Sequence, residues 1–279
     1  MDVILGKTAG FCGGVKNSVD KASEILKEHK KVYCLGELVH NNTVINNLEE
    51  KGIIFVDNIT DVPRGENVIF RAHGVTRDTY NIARDNELNV FDLTCPKVLK
   101  IHDQIDQYIN DGYFVLLVGE AKHPEVVGSL SFTSGNGIVI ENLDDLELKY
   151  DEYKNKDKIV LLSQTTYSVS KFEEINGKIK ELAPDVLINN TICNATSLRQ
   201  EETSRLSLDV DFMIIIGGKK SSNTQKLFSI AQENVDSVVI ETVDDLDLDL
   251  SKYKKIGVMA GASTPKENID EVLDYLNSL

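Results

Sequence analysis

The chain has 279 residues, of which 41% are hydrophobic and 27% charged, as in an ordinary globular protein. Its net charge of −15 argues against general binding to DNA or RNA, whose phosphates attract surfaces rich in Lys and Arg. No apolar run approaches the roughly 18 residues that a membrane span needs, and the N-terminus MDVILGKTAG carries no visible secretory signal. Four widely spaced cysteines form no disulfide framework. These features predict a cytoplasmic protein without nucleic-acid or membrane partners.

Short apolar segments alternate with amphipathic segments along the chain. Val98, Ile101 and Ile105, for example, share one face of a predicted helix. This alternation predicts an α/β fold with mostly parallel sheets. The predicted strands are VYCLG, VIFRA, NVFDL, YFVLLVG, GIVIE, KIVLLSQ, FMIIIGG, SVVIE and KIGVMAG.

A threefold repeat becomes visible when positions are counted from three of the cysteines. A glycine that closes an apolar strand stands 24 residues after each one (36−12, 119−95 and 217−193), and a polar residue stands 28 residues after each one (40−12, 123−95 and 221−193). The cysteines are Cys12, Cys95 and Cys193, the glycines Gly36, Gly119 and Gly217, and the polar residues His40, His123 and Ser221.

The repeat predicts three α/β modules related by a pseudo-threefold axis around a central metal-cluster site. The modules span residues 13–94, 95–192 and 193–264, and the terminal segments 1–12 and 265–279 close the centre. The carboxyl ends of the strands, where ligands bind in open α/β sheets, would face that centre.

The three repeated cysteines each precede a predicted helix start, where free backbone N–H groups stabilise thiolates. Taken singly, each could be a small buried hydrophobic residue, as is predicted for Cys34. Three equivalent positions favour a shared metal centre. Zinc with three thiolates and a water, and an iron–sulfur cube with one open iron, both fit this spacing.

Polar residues follow several of the predicted strands. His40, His73, Ser221, Asn223 and Ser263 would form a ring of donors at helix N-termini, which suits a phosphate or diphosphate. The alternative is that the residues at helix starts serve only as caps.

Glu125 occupies a position that is asparagine in the other two modules. One carboxyl group near a metal, with His123 and the hydroxyls of Thr165 and Thr166 close by, indicates a proton relay. The alternative is a first-turn carboxylate that the helix dipole stabilises.

With these residues assembled, the chain resembles the LytB/IspH family of reductases along nearly its whole length. Several short motifs in the right order make the resemblance specific. They are GFCGGV at 10–15, LVHN at 38–41, AHGV at 72–75, TCP at 94–96, HPEVVG at 123–128, SQTT at 163–166, TICNAT at 191–196, SSN at 221–223 and AGAS at 260–263.

The resemblance implies the last step of the non-mevalonate isoprenoid pathway: reductive dehydroxylation of (E)-4-hydroxy-3-methylbut-2-enyl diphosphate to isopentenyl and dimethylallyl diphosphates. It implies one [4Fe–4S] cluster, whose open iron takes the substrate hydroxyl, a ferredoxin or flavodoxin as electron donor, and a monomer. Glu125 would relay the proton. The implied ligands of the cluster are Cys12, Cys95 and Cys193; the implied diphosphate-binding residues are His40, His73, Ser221, Ser222, Asn223 and Ser263; and His123, Thr165 and Thr166 would orient the alcohol.

Two other functions fit some of the same residues. A zinc-dependent phosphohydrolase or deaminase could use the three thiolates and Glu125, and it would need no electrons. A phosphometabolite sensor with a structural metal is the third, but a passive anion site gains nothing from the carboxylate of Glu125.

Overall fold

The computed structural model describes residues 1–279 and contains three parallel four-stranded sheets with helices between their strands. The prediction of an α/β fold with parallel sheets is therefore confirmed. The first sheet, here called the N-sheet, comprises β2 (Val32–Leu35), β3 (Ile53–Val56), β4 (Asn67–Phe70) and β5 (Asn89–Asp92). The middle sheet comprises β6 (Phe114–Val118), β7 (Gly137–Ile140), β8 (Ile159–Ser163) and β9 (Leu187–Ile188). The C-sheet comprises β10 (Phe212–Ile216), β11 (Ser237–Ile240), β12 (Lys255–Ala260) and β1 (Asp2–Leu5).

Eleven α-helices connect these strands, and two short 3-10 turns lie at Ile59–Asp61 and Val243–Asp245. The helices are α1 (Gly13–Glu28), α2 (Asn42–Glu50), α3 (Arg77–Asp85), α4 (Pro96–Asn110), α5 (Pro124–Ser131), α6 (Leu143–Leu148), α7 (Tyr150–Tyr153), α8 (Val169–Leu182), α9 (Asn194–Ser207), α10 (Ser222–Gln232) and α11 (Lys266–Ser278). None of them is both long and apolar enough to cross a membrane.

All three sheets have the same strand order. The orders are β3-β2-β4-β5, β7-β6-β8-β9 and β11-β10-β12-β1, so each sheet reads second, first, third, fourth. In the C-sheet the fourth strand comes from the beginning of the chain, where Ile4 of β1 pairs with Gly257 of β12. The repeat counted from the cysteines therefore recurs in the strand order, while the boundaries of the three modules stay a prediction.

The chain forms two compact units. The first contains Met1–Asp20, Val39–Lys51 and Asn194–Leu279, and it includes the C-sheet. The second contains Lys21–Leu38 and Gly52–Cys193, and it includes the N-sheet and the middle sheet.

The most apolar predicted strands are fully buried. Every residue of β2, β6, β8 and β10 is buried, as expected for the inner strands of parallel sheets that helices cover on both faces. Leu116, Leu161 and Phe172 pack in the core of the middle sheet.

Three strands were not predicted, namely β1, β3 and β9. β9 has only two residues, and β1 pairs with a strand about 250 positions away in the chain, so neither has a local signal. β3 is only partly buried, although its sequence IIFV is apolar.

His102 is a buried residue of α4 that the apolar pattern did not predict. Its side chain is only 3% exposed, neither ring nitrogen has a hydrogen-bond partner, and the ring stacks on Phe132 at 4.2 Å between centroids. It also lies beneath the turn at Gly74, where φ is +80° and a Cβ would approach the His102 ring to 3.0 Å. Burial lowers the pKa of His102 to about 4, although Asp92 acts in the opposite direction.

This lowered pKa predicts a loss of stability in acid. The unfolded chain takes up a proton on His102 below about pH 6.5 and the folded chain only below about 4, so the contribution of neutral His102 falls as the pH drops through this window, by about 3 kcal/mol in all. Denaturant unfolding at several pH values should show a His102→Leu variant losing less stability than the wild type between pH 7 and 4.5. Ile101→Val, on the same helix, should lower stability without changing the slope. Equal slopes for the wild type and His102→Leu would contradict the argument.

Candidate active site

Each repeated cysteine lies just beyond the fourth strand of a sheet and just before a helix. Its backbone N–H donates a hydrogen bond to a carbonyl beyond the end of the third strand of the same sheet. The sheet itself therefore fixes where each cysteine stands. The three bonds run from Cys12 to Ala262 (3.1 Å), from Cys95 to Ala72 (2.9 Å) and from Cys193 to Thr165 (3.0 Å).

The four cysteines fall into two kinds. Cys34 is fully buried and donates its thiol hydrogen to the carbonyl of Gly36 at 3.3 Å, and burial raises the pKa of Cys34 to about 12. It is the core residue that the sequence predicts. The three repeated cysteines are only half-buried, and the sulfur of Cys12 accepts the N–H of Val15 at 3.5 Å. Three accessible thiols at helix starts form a donor set that fits an iron–sulfur cluster.

The helices that follow the first strand of each sheet begin with a side-chain cap, as the capping interpretation expected. Nδ1 of His123 accepts the N–H of Glu125 at 3.1 Å, and Oγ of Ser221 accepts that of Thr224 at 3.4 Å. At α2 the cap is Asn41 instead of His40, so the repeat is shifted there by one residue. Capping thus accounts for one bond of His123 and one of Ser221.

Polar residues of the first unit gather beside the His40 backbone. Oγ of Ser263 donates to the carbonyl of His40 at 3.2 Å. Gly218 packs so closely that a Cβ there would lie 2.2 Å from the same carbonyl oxygen, so only glycine fits. Ser221 and Ser222 follow at the start of α10, and both are buried. The structure therefore places His40, Ser263 and the α10 start in one neighbourhood.

Asn223, the second residue of α10, is the most informative member of this group. It is 4% exposed, and neither its amide nitrogen nor its amide oxygen has a hydrogen-bond partner. Leaving such groups unpaired costs roughly 1–3 kcal/mol each, and a ligand at the helix start would remove that cost. Asn42, at the matching place in the repeat, is exposed and donates to Glu241 at 2.7 Å. The two asparagines are therefore in different environments.

Glu125 is the most strongly perturbed acid at these strand ends. Its side chain is 3% exposed, and its two carboxyl oxygens accept the backbone N–H of Thr165 at 2.6 Å and the Thr165 hydroxyl at 2.7 Å. Burial raises the pKa of Glu125 to about 7, against the opposing effect of both bonds from Thr165. Glu125 can therefore hold or release a proton near neutral pH.

The two threonines of SQTT have separate partners. Thr165 contacts Glu125, whereas the hydroxyl of Thr166 accepts a bond from the amide of Gln164 at 2.9 Å. Gln164 is buried and its amide oxygen also accepts the N–H of Glu120, so it orients this strand end. Gln164 was not among the predicted site residues, although it lies within the motif SQTT.

Two imidazoles of the second unit lie side by side. The rings of His73 and His123 are 5.4 Å apart between centroids and nearly perpendicular. Because Nδ1 of His123 accepts a hydrogen bond, a neutral His123 carries its proton on Nε2.

The geometry divides the residues singled out in the sequence between the two units. Cys12, His40, Ser221, Ser222, Asn223 and Ser263 belong to the first unit, and His73, Cys95, His123, Glu125, Thr165, Thr166 and Cys193 belong to the second. Enzymes that bind an anionic substrate beside a metal centre share three features with this chain. These are accessible thiols, an unpaired buried amide at a helix start, and a carboxyl group of raised pKa.

Comparisons with known proteins identify the family. The chain belongs to the LytB protein family, whose model matches residues 3–277, and the resemblance of the motifs is confirmed. The family consists of iron–sulfur enzymes. Proteins called 4-hydroxy-3-methylbut-2-enyl diphosphate reductase from Clostridioides difficile and Aquifex aeolicus are each 41% identical to this chain; the matches cover all of this chain and 100% and 97% of theirs.

Solved structures give the same result. The E-1-hydroxy-2-methyl-but-2-enyl-4-diphosphate reductase of Plasmodium falciparum is 33% identical, with a TM-score of 0.94 over 100% of this chain and 87% of that one. A structure of (E)-4-hydroxy-3-methyl-but-2-enyl diphosphate reductase, described as the terminal enzyme of the non-mevalonate pathway, is 40% identical, with a TM-score of 0.73 over the whole of both chains.

The contacts of the two threonines generate a prediction. Thr165→Val removes the hydroxyl that stabilises ionised Glu125, so the pKa of Glu125 should rise above about 7 by roughly 1–2 units, as expected for one hydrogen bond to a charged group. Titration of the ¹³C-labelled Glu carboxyl signals by NMR measures this rise. Thr166→Val is the matched control and should leave the titration unchanged, because the Thr166 hydroxyl bonds Gln164. A rise of the same size in both variants would contradict the assignment.

Proposed function

We propose that this chain reductively dehydroxylates (E)-4-hydroxy-3-methylbut-2-enyl diphosphate to isopentenyl and dimethylallyl diphosphates. Its full-length similarity to reductases with this substrate in their names supports the reaction. The single observation that carries the proposal is the buried Glu125–Thr165 pair, because the leaving hydroxyl must be protonated and the pKa of Glu125 is about 7.

Cys12, Cys95 and Cys193 would hold one [4Fe–4S] cluster. When bound, this cluster would supply the two electrons of the reduction and an iron without a protein ligand for the substrate's alcohol end. The chain's own contribution is to place each thiol at a helix start through the backbone bond to the third strand. The contrast with Cys34, whose thiol is buried and bonded, supports the choice of these three.

The diphosphate would be held mainly from the start of α10. Ser221, Ser222 and Asn223 stand there with Ser263 and His40 nearby, and the positive end of the helix favours an anion. The buried amide of Asn223, which has no protein partner, supports a role in substrate binding. His73 completes the proposed diphosphate-binding set.

Proton delivery would start from Glu125. With a pKa of about 7, its carboxyl group can hold or release a proton near neutral pH, and its hydrogen bond with the Thr165 hydroxyl offers that proton a path towards the alcohol. His123, with its proton on Nε2, and Thr166 would orient the alcohol. The burial of Glu125 and Thr165 keeps bulk water away from this pair.

The remaining features of the proposal follow the family resemblance. A ferredoxin or flavodoxin would deliver the electrons one at a time, and the chain would act as a cytoplasmic monomer. The substrate is small and offers little apolar area, so its diphosphate would provide most of the binding free energy.

The role of Glu125 predicts a separation of binding from turnover. Glu125→Gln keeps the shape of the side chain but removes its acidic proton, so turnover should fall by at least about 100-fold while the substrate Kd changes little. Anaerobic product formation with a one-electron donor gives the rate, and calorimetric titration gives the Kd. Glu174→Gln, an exposed change on α8, is the control. Normal turnover by Glu125→Gln would refute the proton-donor role.

The cysteine assignment predicts the iron content of four variants. The anaerobically reconstituted wild type should be brown, with roughly four irons per chain. Cys12→Ser, Cys95→Ser and Cys193→Ser should each lose most of their iron and acid-labile sulfide, and Cys34→Ala should keep both. A full cluster in any of the three serine variants would remove that cysteine from the set. A colourless wild type with one zinc and no sulfide would favour the hydrolytic alternative.

A further inference from the structure

Helix α9 buries a face that is almost entirely polar. A helix normally buries an apolar stripe, because burying polar groups costs free energy unless each is hydrogen-bonded. α9 packs against α10 and β12, and among its buried residues only Leu206 is apolar. The buried residues are Thr196, Arg199, Gln200, Glu202, Thr203, Leu206 and Ser207.

The carboxylate of Glu202 binds the loop that follows β1. It accepts the backbone N–H groups of Lys7 and Thr8, both at 2.8 Å, and the hydroxyl of Thr8 at 2.6 Å. Burial alone would raise the pKa of Glu202, but these three bonds outweigh it and hold the pKa below its ordinary value. The carboxylate is thus ionised and takes three donors from two adjacent residues.

Arg199 binds the same loop one turn of the helix away. Its guanidinium donates to the carbonyl of Gly10 at 2.6 Å, and also to that of Ala195 within α9 at 2.9 Å. From the other side the loop is tied to the end of β12, since the N–H of Gly10 donates to Ala260 and that of Cys12 to Ala262. Residues 7–12 are therefore held between the α9 side chains and the end of a strand.

We propose that Glu202 and Arg199 are positioning residues that fix the segment 7–12 and thereby set where the thiol of Cys12 stands. Glu202 acts on the segment through Lys7 and Thr8, and Arg199 acts on it through the carbonyl of Gly10. The inference rests on the proposed function only in taking Cys12 as a cluster ligand. Stability alone gives a poorer account of α9, because a buried charged face adds less stability than an apolar face of the same size.

The placement of the two residues also explains why the loop needs them. Cys12 follows β1, an edge strand of the C-sheet, whereas α9 packs against α10 and β12 of the same unit. The segment between β1 and α1 has no regular hydrogen bonding of its own apart from the turn at Ala9. Without Glu202 the N–H groups of Lys7 and Thr8 would lose their acceptors.

The test measures the alkylation rate of each cysteine in the iron-free full-length chain by peptide mass spectrometry, with iodoacetamide as the probe. Glu202→Gln should raise the alkylation rate at Cys12 about tenfold. This corresponds to a decrease of about 1.4 kcal/mol in the free energy needed to open the loop. Cys34 reports global unfolding, and Cys95 and Cys193 report general loosening. Glu201→Gln, an exposed neighbour on α9, is the matched control.

Three further variants keep the test decisive if Glu202→Gln does not fold. Thr8→Val removes only one of the three bonds to Glu202 and should give a smaller rise at Cys12. Arg199→Met should raise the Cys12 rate, and Arg199→Lys should restore it in part, because lysine keeps a donor for the carbonyl of Gly10.

In the cluster-loaded protein, Glu202→Gln should also speed the loss of iron to a chelator about tenfold. An unchanged Cys12 rate would overturn the inference, and so would an equal rise at all four cysteines, which is the mark of a purely structural role. The two proposals can fail separately, since a wild type that binds no iron would refute the cluster and leave the alkylation result standing.

Discussion

One hydrogen bond, made three times, determines where the chemistry of this protein can be. In each sheet the backbone N–H of a cysteine, just beyond the fourth strand, donates to a carbonyl just beyond the third strand. This bond aligns the start of a helix with the carboxyl edge of a parallel sheet, where helix N–H groups and strand-end side chains lie together. The C-sheet achieves the same arrangement with β1 from the start of the chain, which is why Cys12 is placed like Cys95 and Cys193.

The same framework carries different side chains in each sheet, and the differences assign the roles. Beside the middle sheet, Thr165 bonds both Glu125 and Cys193: its N–H and hydroxyl donate to the Glu125 carboxyl group, and its carbonyl accepts the N–H of Cys193. A single residue therefore joins the acid to the cysteine. In the first unit the side-chain amide of Asn223 has no hydrogen-bond partner, as expected of a group that binds a ligand. On the proposed roles, the same backbone plan would support proton transfer in one place and anion binding in another.

Much of this arrangement could be predicted from the sequence, because the repeat is recorded in spacings. Strand ends and helix starts recur with little change, so counting from Cys12, Cys95 and Cys193 located all three closing glycines and two of the three capping residues. The pairing of β1 and the contacts of Glu202 could not be predicted, since their partners lie about 190 to 250 positions away and no periodicity links them. The buried face of α9 carries no apolar stripe, so no sequence pattern indicates what it packs against. The partnerless amide of Asn223 is a property of packing alone.

The protonation of Glu125 depends on a balance that the rest of the fold sustains. Two hydrogen bonds from Thr165 favour the ionised carboxylate, and so does its position in the first turn of α5. The effect of burial is nevertheless larger and raises the pKa of Glu125 to about 7. Ionising the carboxyl group therefore costs about 3 kcal/mol more here than in water. If water entered, this advantage would vanish and Glu125 would lose its proton at neutral pH. Asparagine at the matching places of the other two modules has no proton to lose. Chemical asymmetry in this threefold plan therefore depends on one carboxyl group and on the water-free packing that raises its pKa.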